Sequence, residues 1–404
     1  MTPAPTERLH ALDAVRGFAL LLGVAFHASM SFLPGPQAWI VMDEQRSELM
    51  AITFFTLHIF RMTIFFVIAG YFGRLLLERR GLKGFVLDRL KRIVAPLAIF
   101  WPLALTGIIA VLIWSTIEVM GALPKNPPPP PAMTPTDFPL THLWFLWVLL
   151  IFYTAMLLAR GVGRLLDGGG VFARVVDGLV GFLVRSLAGP VLLAAPIALA
   201  FWLKRDLMAW VGIPTPDQSL IPGAIALTAY GIAFSFGWLL QRQDGLILGM
   251  ARRWPLQLLV AIAATTAAYL ILRGMPIGGK LTDEGLRATF CGLYALAIWT
   301  WTFGLIGAAL TFLSGHSPVR RYLADASYWI YIVHIPIVMA LQVALREAPV
   351  AWPVKYALIL AGTLVPALIT YELLVRHTHL GWLLNGRRIP WRAKPQFQAQ
   401  EGIA

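Results

Sequence analysis

Apolar runs recur along the chain at about 12–33, 49–76, 93–117, 142–159, 188–203, 221–240, 254–272, 288–312, 328–345 and 354–375. An α-helix crosses a hydrocarbon layer of about 30 Å with roughly 20 residues, so runs of this length predict transmembrane helices. Lipid offers no partner for exposed peptide groups, and each run must therefore satisfy its own backbone. The pattern predicts an all-α, polytopic bundle of about ten spans. The fifth run is the weakest of the ten, because it is short and carries Pro190 and Pro196.

Composition sharpens this picture. Of 404 residues, 58% are hydrophobic and 13% charged, against roughly 45–50% and about 25% in soluble domains. Such an excess cannot be hidden in a water-soluble core. The whole chain, 1–404, is read as one integral membrane domain with spans over about 12–375 and a basic cytoplasmic tail over 376–404. The first run is long for a signal h-region and contains Asp13, Arg16 and His27, which marks it as a retained span.

The net charge of +13 follows topology and does not point to nucleic acid, since no basic stripe interleaves with aromatics on a soluble face. With the N-terminus inside, the cytoplasmic segments hold 23 Lys and Arg against nine on the other side. Both termini are therefore expected in the cytoplasm, and a bacterial inner membrane is the expected location. The loop from Met120 to Thr141, with the run Pro127 to Pro131, favours an extended polyproline strut projecting outside. Gly168 to Gly170 mark a flexible inner connection. Trp and Tyr near span ends read as interfacial belts. The single cysteine, Cys291, lies in an apolar run and reads as a buried, inert thiol.

Ionisable groups inside spans are costly and are the candidates for chemistry. Arg16 and His27 stand eleven residues apart, about 16 Å along a helix and nearly on one face. Arg16 is either an anchor paired with Asp13 or an anion ligand, and His27 either an interhelical hydrogen-bonding group or a base. Arg61 lies well inside the second span, one turn from His58 and at about the depth of His27. With no acid in the same span, it calls for an anionic partner or an interhelical cap. Tyr328, Tyr331 and His334 share a face at i, i+3 and i+6, with His334 nearer the cytoplasm than His27. Trp144 and Trp147 beside His142 offer a stacking surface for a sugar. Glu372 reads as a structural ion-pair partner for an Arg, and His377 and His379 as solvated or lipid-facing. No dinucleotide glycine fingerprint, phosphate-loop lysine or zinc signature appears, so no metal is expected.

The stretch Leu9-His10-Ala11-Leu12-Asp13-Ala14-Val15-Arg16-Gly17, leading to His27, resembles the opening of the acyltransferase family 3 proteins. Phe65-Phe66-Val67-Ile68-Ala69-Gly70-Tyr71, Arg89-Leu90-Lys91-Arg92 and Ser327-Tyr328-Trp329-Ile330-Tyr331-Ile332-Val333-His334 match in the family's order. Finer details resemble the branch associated with succinylation of periplasmic glucans: His58-Ile59-Phe60-Arg61, His142-Leu143-Trp144-Phe145-Leu146-Trp147 and Tyr371-Glu372-Leu373-Leu374.

The resemblance implies transfer of a succinyl or acetyl group from a coenzyme A thioester to a carbohydrate hydroxyl, with His27 as the catalytic residue. Succinyl-CoA or acetyl-CoA is then a donor substrate, and no cofactor is permanently bound. Arg16, Arg89 and Arg92 would meet the coenzyme A phosphates. His58, Arg61, His142, Trp144, Tyr328, Tyr331 and His334 would position acyl group or acceptor. Two other readings compete: a proton-coupled secondary transporter of an envelope precursor or small anion, and a scaffold for envelope polymer synthesis. The acyl group, the acceptor, the role of His27 as base or nucleophile and the oligomeric state are not legible in the sequence.

Overall fold

A computed structural model describes residues 5–35, 39–126, 129–243 and 245–390, with side chains from residue 10 onward. Twelve α-helices are present among the described residues, with no β-strand and one isolated bridge, Thr134 to Asp137. They are α1 (Pro5–Ser29), α2 (Glu48–Arg89), α3 (Ala95–Met120), α4 (Trp144–Leu166), α5 (Val171–Arg185), α6 (Gly189–Leu203), α7 (Ala224–Leu240), α8 (Trp254–Leu272), α9 (Glu284–Phe312), α10 (Pro318–Leu345), α11 (Trp352–Thr370) and α12 (His379–Asn385).

Every expected span falls on a helix, yet the crossings are not all of one kind. Seven helical stretches among the described residues are long and apolar enough to cross a membrane, or eight if α5 and α6 together form one span. The stretch Glu48–Met120 is 73 residues long, about 110 Å of helix, far more than one crossing needs. It is interrupted at Gly81, whose φ of 66° and ψ of 179° suit glycine alone. A π-turn over Leu90–Val94 then leads into α3. The fifth expected span departs most: α6 has only 15 residues and is bent by 104° from α5. The extended Ser186, with ψ of 147°, ends α5, and Pro190 stands in the first turn of α6, where no N–H is needed.

Local signals explain the helix starts. The Ser47 hydroxyl accepts from the Met50 N–H at the head of α2, Asp283 from Leu286 at α9, and Ser317 from Arg320 at α10, where Pro318 follows. The bundle is drawn together by small residues. A Cβ added at Gly70 of α2 would lie 2.1 Å from the Phe234 carbonyl oxygen of α7, and one at Gly237 of α7 1.9 Å from that of Val67. The α2 and α7 backbones thus approach reciprocally, as expected of membrane helices that pack through van der Waals contact.

Three expectations about the surroundings change. Of the aromatics near span ends, Trp114 is exposed but Trp238 is fully buried in the core and forms no interfacial belt; aromatic packing between helices claims it. The Pro-rich loop, of which Pro127 and Pro128 lie outside the described residues, does not simply project. Phe138 N–H donates to the Gln218 carbonyl and Leu220 N–H to that of Pro135, so the loop docks on the connection between α6 and α7. His377 is buried and bonds Ile389 O and Glu372, tying down the first part of the tail; Arg392 and Lys394 lie outside the described residues. Near the tips of α2 and α11, Lys355 and Asp43 form an ion pair at 2.9 Å, exposed by 1% and 4%. Cys291 is buried as expected.

Candidate active site

The last turn of α1 carries His27. Its main-chain carbonyl accepts from Gln342 Nε2 of α10 at 3.0 Å, and Gln342 Oε1 accepts from the Trp39 indole at 2.9 Å. The backbone at His27 is thereby fixed, while the imidazole makes no hydrogen bond to any described residue: Nδ1 is buried without a partner among them. The ring packs edge-on to Phe26, with centroids 4.9 Å apart, and lies 5.3 Å from the His334 ring. The sequence placed His334 closer to the cytoplasm, but α1 and α10 pack in a register that makes the two imidazoles neighbours.

Three further imidazoles gather here, and their bonds set their tautomers. A carbonyl only accepts, so the nitrogen facing it carries the hydrogen. His58 Nε2 donates to Ile213 O at 3.1 Å, His142 Nε2 to Ile332 O at 3.0 Å and His334 Nδ1 to Tyr331 O at 2.7 Å. The opposite nitrogens of all three are buried acceptors without a protein donor. His142 and His334 stand 5.2 Å apart, and Tyr331 pins the His142 carbonyl at 2.7 Å. Among the described residues no group of three or more His, Cys, Asp or Glu could hold a metal ion.

Arg61 of α2 is 7% exposed and lies over the Phe26 ring at 4.2 Å. Its Nε is buried without a partner, and no carboxylate pairs with it among the described residues. Glu372 is engaged elsewhere, with Arg376 at 2.8 Å and His377 at 3.1 Å.

His27, His58, Arg61, His142, Trp144, Tyr331 and His334 line one cavity of about 370 Å³, within the range of about 300–1,000 Å³ usual for ligand sites. Trp144 is a wall of this cavity and not an open platform: it is buried and stacked on Tyr230 at 5.6 Å. Trp147 does not line it and is tied to Leu220 O.

A second, basic site lies at the other end of α1. Asp88 is its hub, bonded to Arg89 at 2.6 Å, Arg80 at 3.3 Å and Arg92 at 3.5 Å. Arg89 also reaches the Tyr153 hydroxyl, and Arg92 the Asn385 carbonyl. Arg16 pairs with Asp13 at 3.1 Å, is 40% exposed and lies close enough to Arg92 for their charges to repel. Asp13 is shared with Arg321. Three arginines around one carboxylate leave an excess of positive charge, although Arg89 and Arg92 are less free than the sequence suggests. Tyr328 joins the two sites: its hydroxyl donates to Arg92 O, and its ring faces Tyr331, which leads along α10 to His334 and from there across to His27 of α1. Tyr328 itself does not line the cavity.

Sequence reasoning missed Asp88, Gln342, Trp39 and the loop residues Thr215, Asp217 and Gln218, which also reach the cavity or its supports. Asp88 was signalled as the one acid between Arg79 and Arg92. The loop residues carried no local signal, because only the tertiary fold brings 215–218 to α1.

Comparison with known proteins agrees with the motifs. The family model described as "Acyltransferase domain", that of acyltransferase family 3, matches residues 9–372. A glucans biosynthesis protein C of Escherichia coli strain SMS-3-5 is 36% identical over 103 residues, 26% of each chain. The protein of that name in Escherichia coli O6:K15:H31 is 31% identical over 154 residues, 38% of this chain and 39% of the relative. That of Shigella dysenteriae serotype 1 is 30% identical over 160 residues, with the same shares. The alignments thus span well under half the length of these relatives. No solved structure matches the chain.

Proposed function

The chain belongs to acyltransferase family 3, and from that premise we propose that it transfers a succinyl or acetyl group from cytoplasmic acyl-CoA to a hydroxyl of a periplasmic or envelope carbohydrate, an osmoregulated glucan in particular. The observation that carries this reading is the imidazole of His27, fixed through its backbone yet free of protein hydrogen bonds, on the wall of a cavity that takes a small ligand. The glucan acceptor is supported by the name shared by the relatives. The inner membrane and cytoplasmic termini are supported by the excess of Lys and Arg on one side.

In this reading the phosphates of coenzyme A meet Arg16, Arg89 and Arg92, displacing part of the contact of Arg89 and Arg92 with Asp88 and of Arg16 with Asp13. The pantetheine arm runs past Tyr328 and Tyr331, and the thioester reaches His27. Acting as general base, His27 takes the proton of the acceptor hydroxyl while its oxygen attacks the thioester carbonyl. The C–S bond then breaks and the proton passes to the departing coenzyme A thiolate. Acting as nucleophile, the ring nitrogen first takes the acyl group and releases coenzyme A, and the hydroxyl then displaces the imidazole. Both routes need a ring nitrogen with no protein partner. Arg61 is placed to hold a terminal carboxylate of the acyl group.

A proton-coupled carrier of an envelope precursor or small anion is the alternative; paired broken helices in the two halves would favour it. Among the described residues only one bent pair, α5 with α6, occurs. The experiment is transfer by purified protein in lipid nanodiscs, with a neutral glucan oligosaccharide and either succinyl-CoA or acetyl-CoA. Coenzyme A release matched by acylated glucan in the mass spectrum supports the enzyme. Anion uptake into sealed vesicles without coenzyme A release selects the carrier.

A further inference from the structure

One part of the cavity wall has no role in the chemistry above. It comes from the connection between α6 and α7, which brings Thr215, Asp217 and Gln218 to the space. The Asp217 carboxylate is held from two sides: Thr215 Oγ1 donates to Oδ1 at 2.8 Å and Gln218 Nε2 to Oδ2 at 3.2 Å. A carboxylate offers about four acceptor positions, so acceptor capacity remains. No Lys, Arg or His pairs with it among the described residues.

The same loop is locked to the turn that carries His142. Thr141 N–H donates to the Asp217 carbonyl at 3.1 Å. Thr141 has φ of 56°, an outlier for a β-branched residue. Thr141 is one of the residues of the cavity wall, and its hydroxyl is buried without a partner among the described residues. A charged acceptor and an unsatisfied hydroxyl thus share the cavity with the His27 imidazole and the Trp39 and Trp144 rings.

We infer that Asp217 and Thr141 form the acceptor subsite and select a neutral, polyhydroxylated chain end over an anionic one. The inference rests on the acyl-transfer reading. Sugar hydroxyls supply donors for the carboxylate and a partner for the Thr141 hydroxyl, and aromatic rings pack against sugar C–H faces. A phosphate or uronate brought to the same place meets a fixed negative charge, a repulsive element that enforces choice. Arg61 and Asp217 then divide the cavity by charge, one for an anionic acyl group and the other for a neutral acceptor.

The test measures binding separately from turnover. Full-length His27→Ala protein in nanodiscs is titrated with a neutral glucan oligosaccharide and with the same oligosaccharide bearing phosphoglycerol groups, with and without Asp217→Asn. The His27-containing proteins give KM for acceptor and donor. Asp217→Asn should weaken neutral glucan binding about tenfold or more, the scale of a hydrogen bond to a charged group. It should also raise acceptor KM, leave donor KM in place and narrow the gap between the two oligosaccharides. Thr141→Ala should weaken the neutral glucan, and Thr141→Ser should restore it. Unchanged glucan binding in Asp217→Asn, or donor and acceptor KM moving together, would overturn the subsite. If Asp217→Asn fails to fold, Gln218→Ala at the exposed mouth removes one of the two bonds that hold the carboxylate and is held to the same criteria. Glucan binding that depends on Asp217 without transfer from any thioester would leave the subsite standing and remove the acyl-transfer reading.

Discussion

If the proposed donor site is right, replacing Arg61 with Gln should remove the preference for a succinyl over an acetyl donor. The guanidinium is 7% exposed, about 20 Å of helix from the head of α2, and has no carboxylate partner among the described residues. Holding a charge at such a depth costs about 2.5–3.5 kcal/mol on insertion scales. The Phe26 face 4.2 Å away returns about 0.5–2 kcal/mol, which leaves a remainder for a ligand to supply. A charge-assisted hydrogen bond to a succinyl carboxylate contributes about 1.5–3 kcal/mol. At about 1.36 kcal/mol per decade, its loss lowers kcat/KM for succinyl-CoA roughly 10- to 150-fold. An acetyl donor makes no such bond and should lose less than about threefold. The assay is competitive transfer from the two thioesters to one neutral oligosaccharide, with both products counted in the same mass spectrum. A proportionate loss of both products would refute the reasoning and make Arg61 architectural, held over the Phe26 ring.

Further outcomes test other parts of the account. Arg16→Ala, Arg89→Ala and Arg92→Ala should each weaken coenzyme A binding by about 1.5–3 kcal/mol and hardly affect a bare pantetheine thioester; equal losses for both donors would return these residues to topology. Asp88→Asn, which frees Arg89 and Arg92 from their internal carboxylate, should tighten coenzyme A binding by calorimetry, and weaker binding would show that Asp88 organises the arginines instead. Lys355→Met leaves Asp43 buried and unpaired, so it should lower stability by about 3–5 kcal/mol. The Lys355→Met, Asp43→Asn pair should be less damaging, and a single variant that unfolds like wild type would contradict a buried ion pair.

What the sequence revealed, and what it hid, divides along physical lines. Helical periodicity placed Arg16 and His27 on one face of α1, and Tyr328, Tyr331 and His334 on one face of α10, because both depend only on the 3.6-residue turn. It could not report that these faces meet, which is set by packing of α1 against α10. Membrane depth proved harder to read: counting residues separated His334 from His27, whereas their rings lie 5.3 Å apart. Charge was legible in total but not in pairing. Asp88 gathers arginines from within eight residues of itself, whereas Asp43 finds a lysine 312 residues away. Trp144 illustrates the remaining difficulty, since an aromatic beside an expected water interface reads as a belt or platform until Tyr230 is found stacked on it.

The most direct test of the central assignment is single-turnover acyl transfer by His27→Ala protein beside wild type, with coenzyme A binding and thermal unfolding measured on the same samples. His27 has no hydrogen bond from its ring to any described residue, so its removal should leave folding and donor binding near wild type. General acid–base catalysis alone contributes about 10²–10⁴-fold, and the account predicts that transfer falls by at least this much. Transfer within about threefold of wild type, in variant protein that folds and binds donor normally, would contradict the assignment.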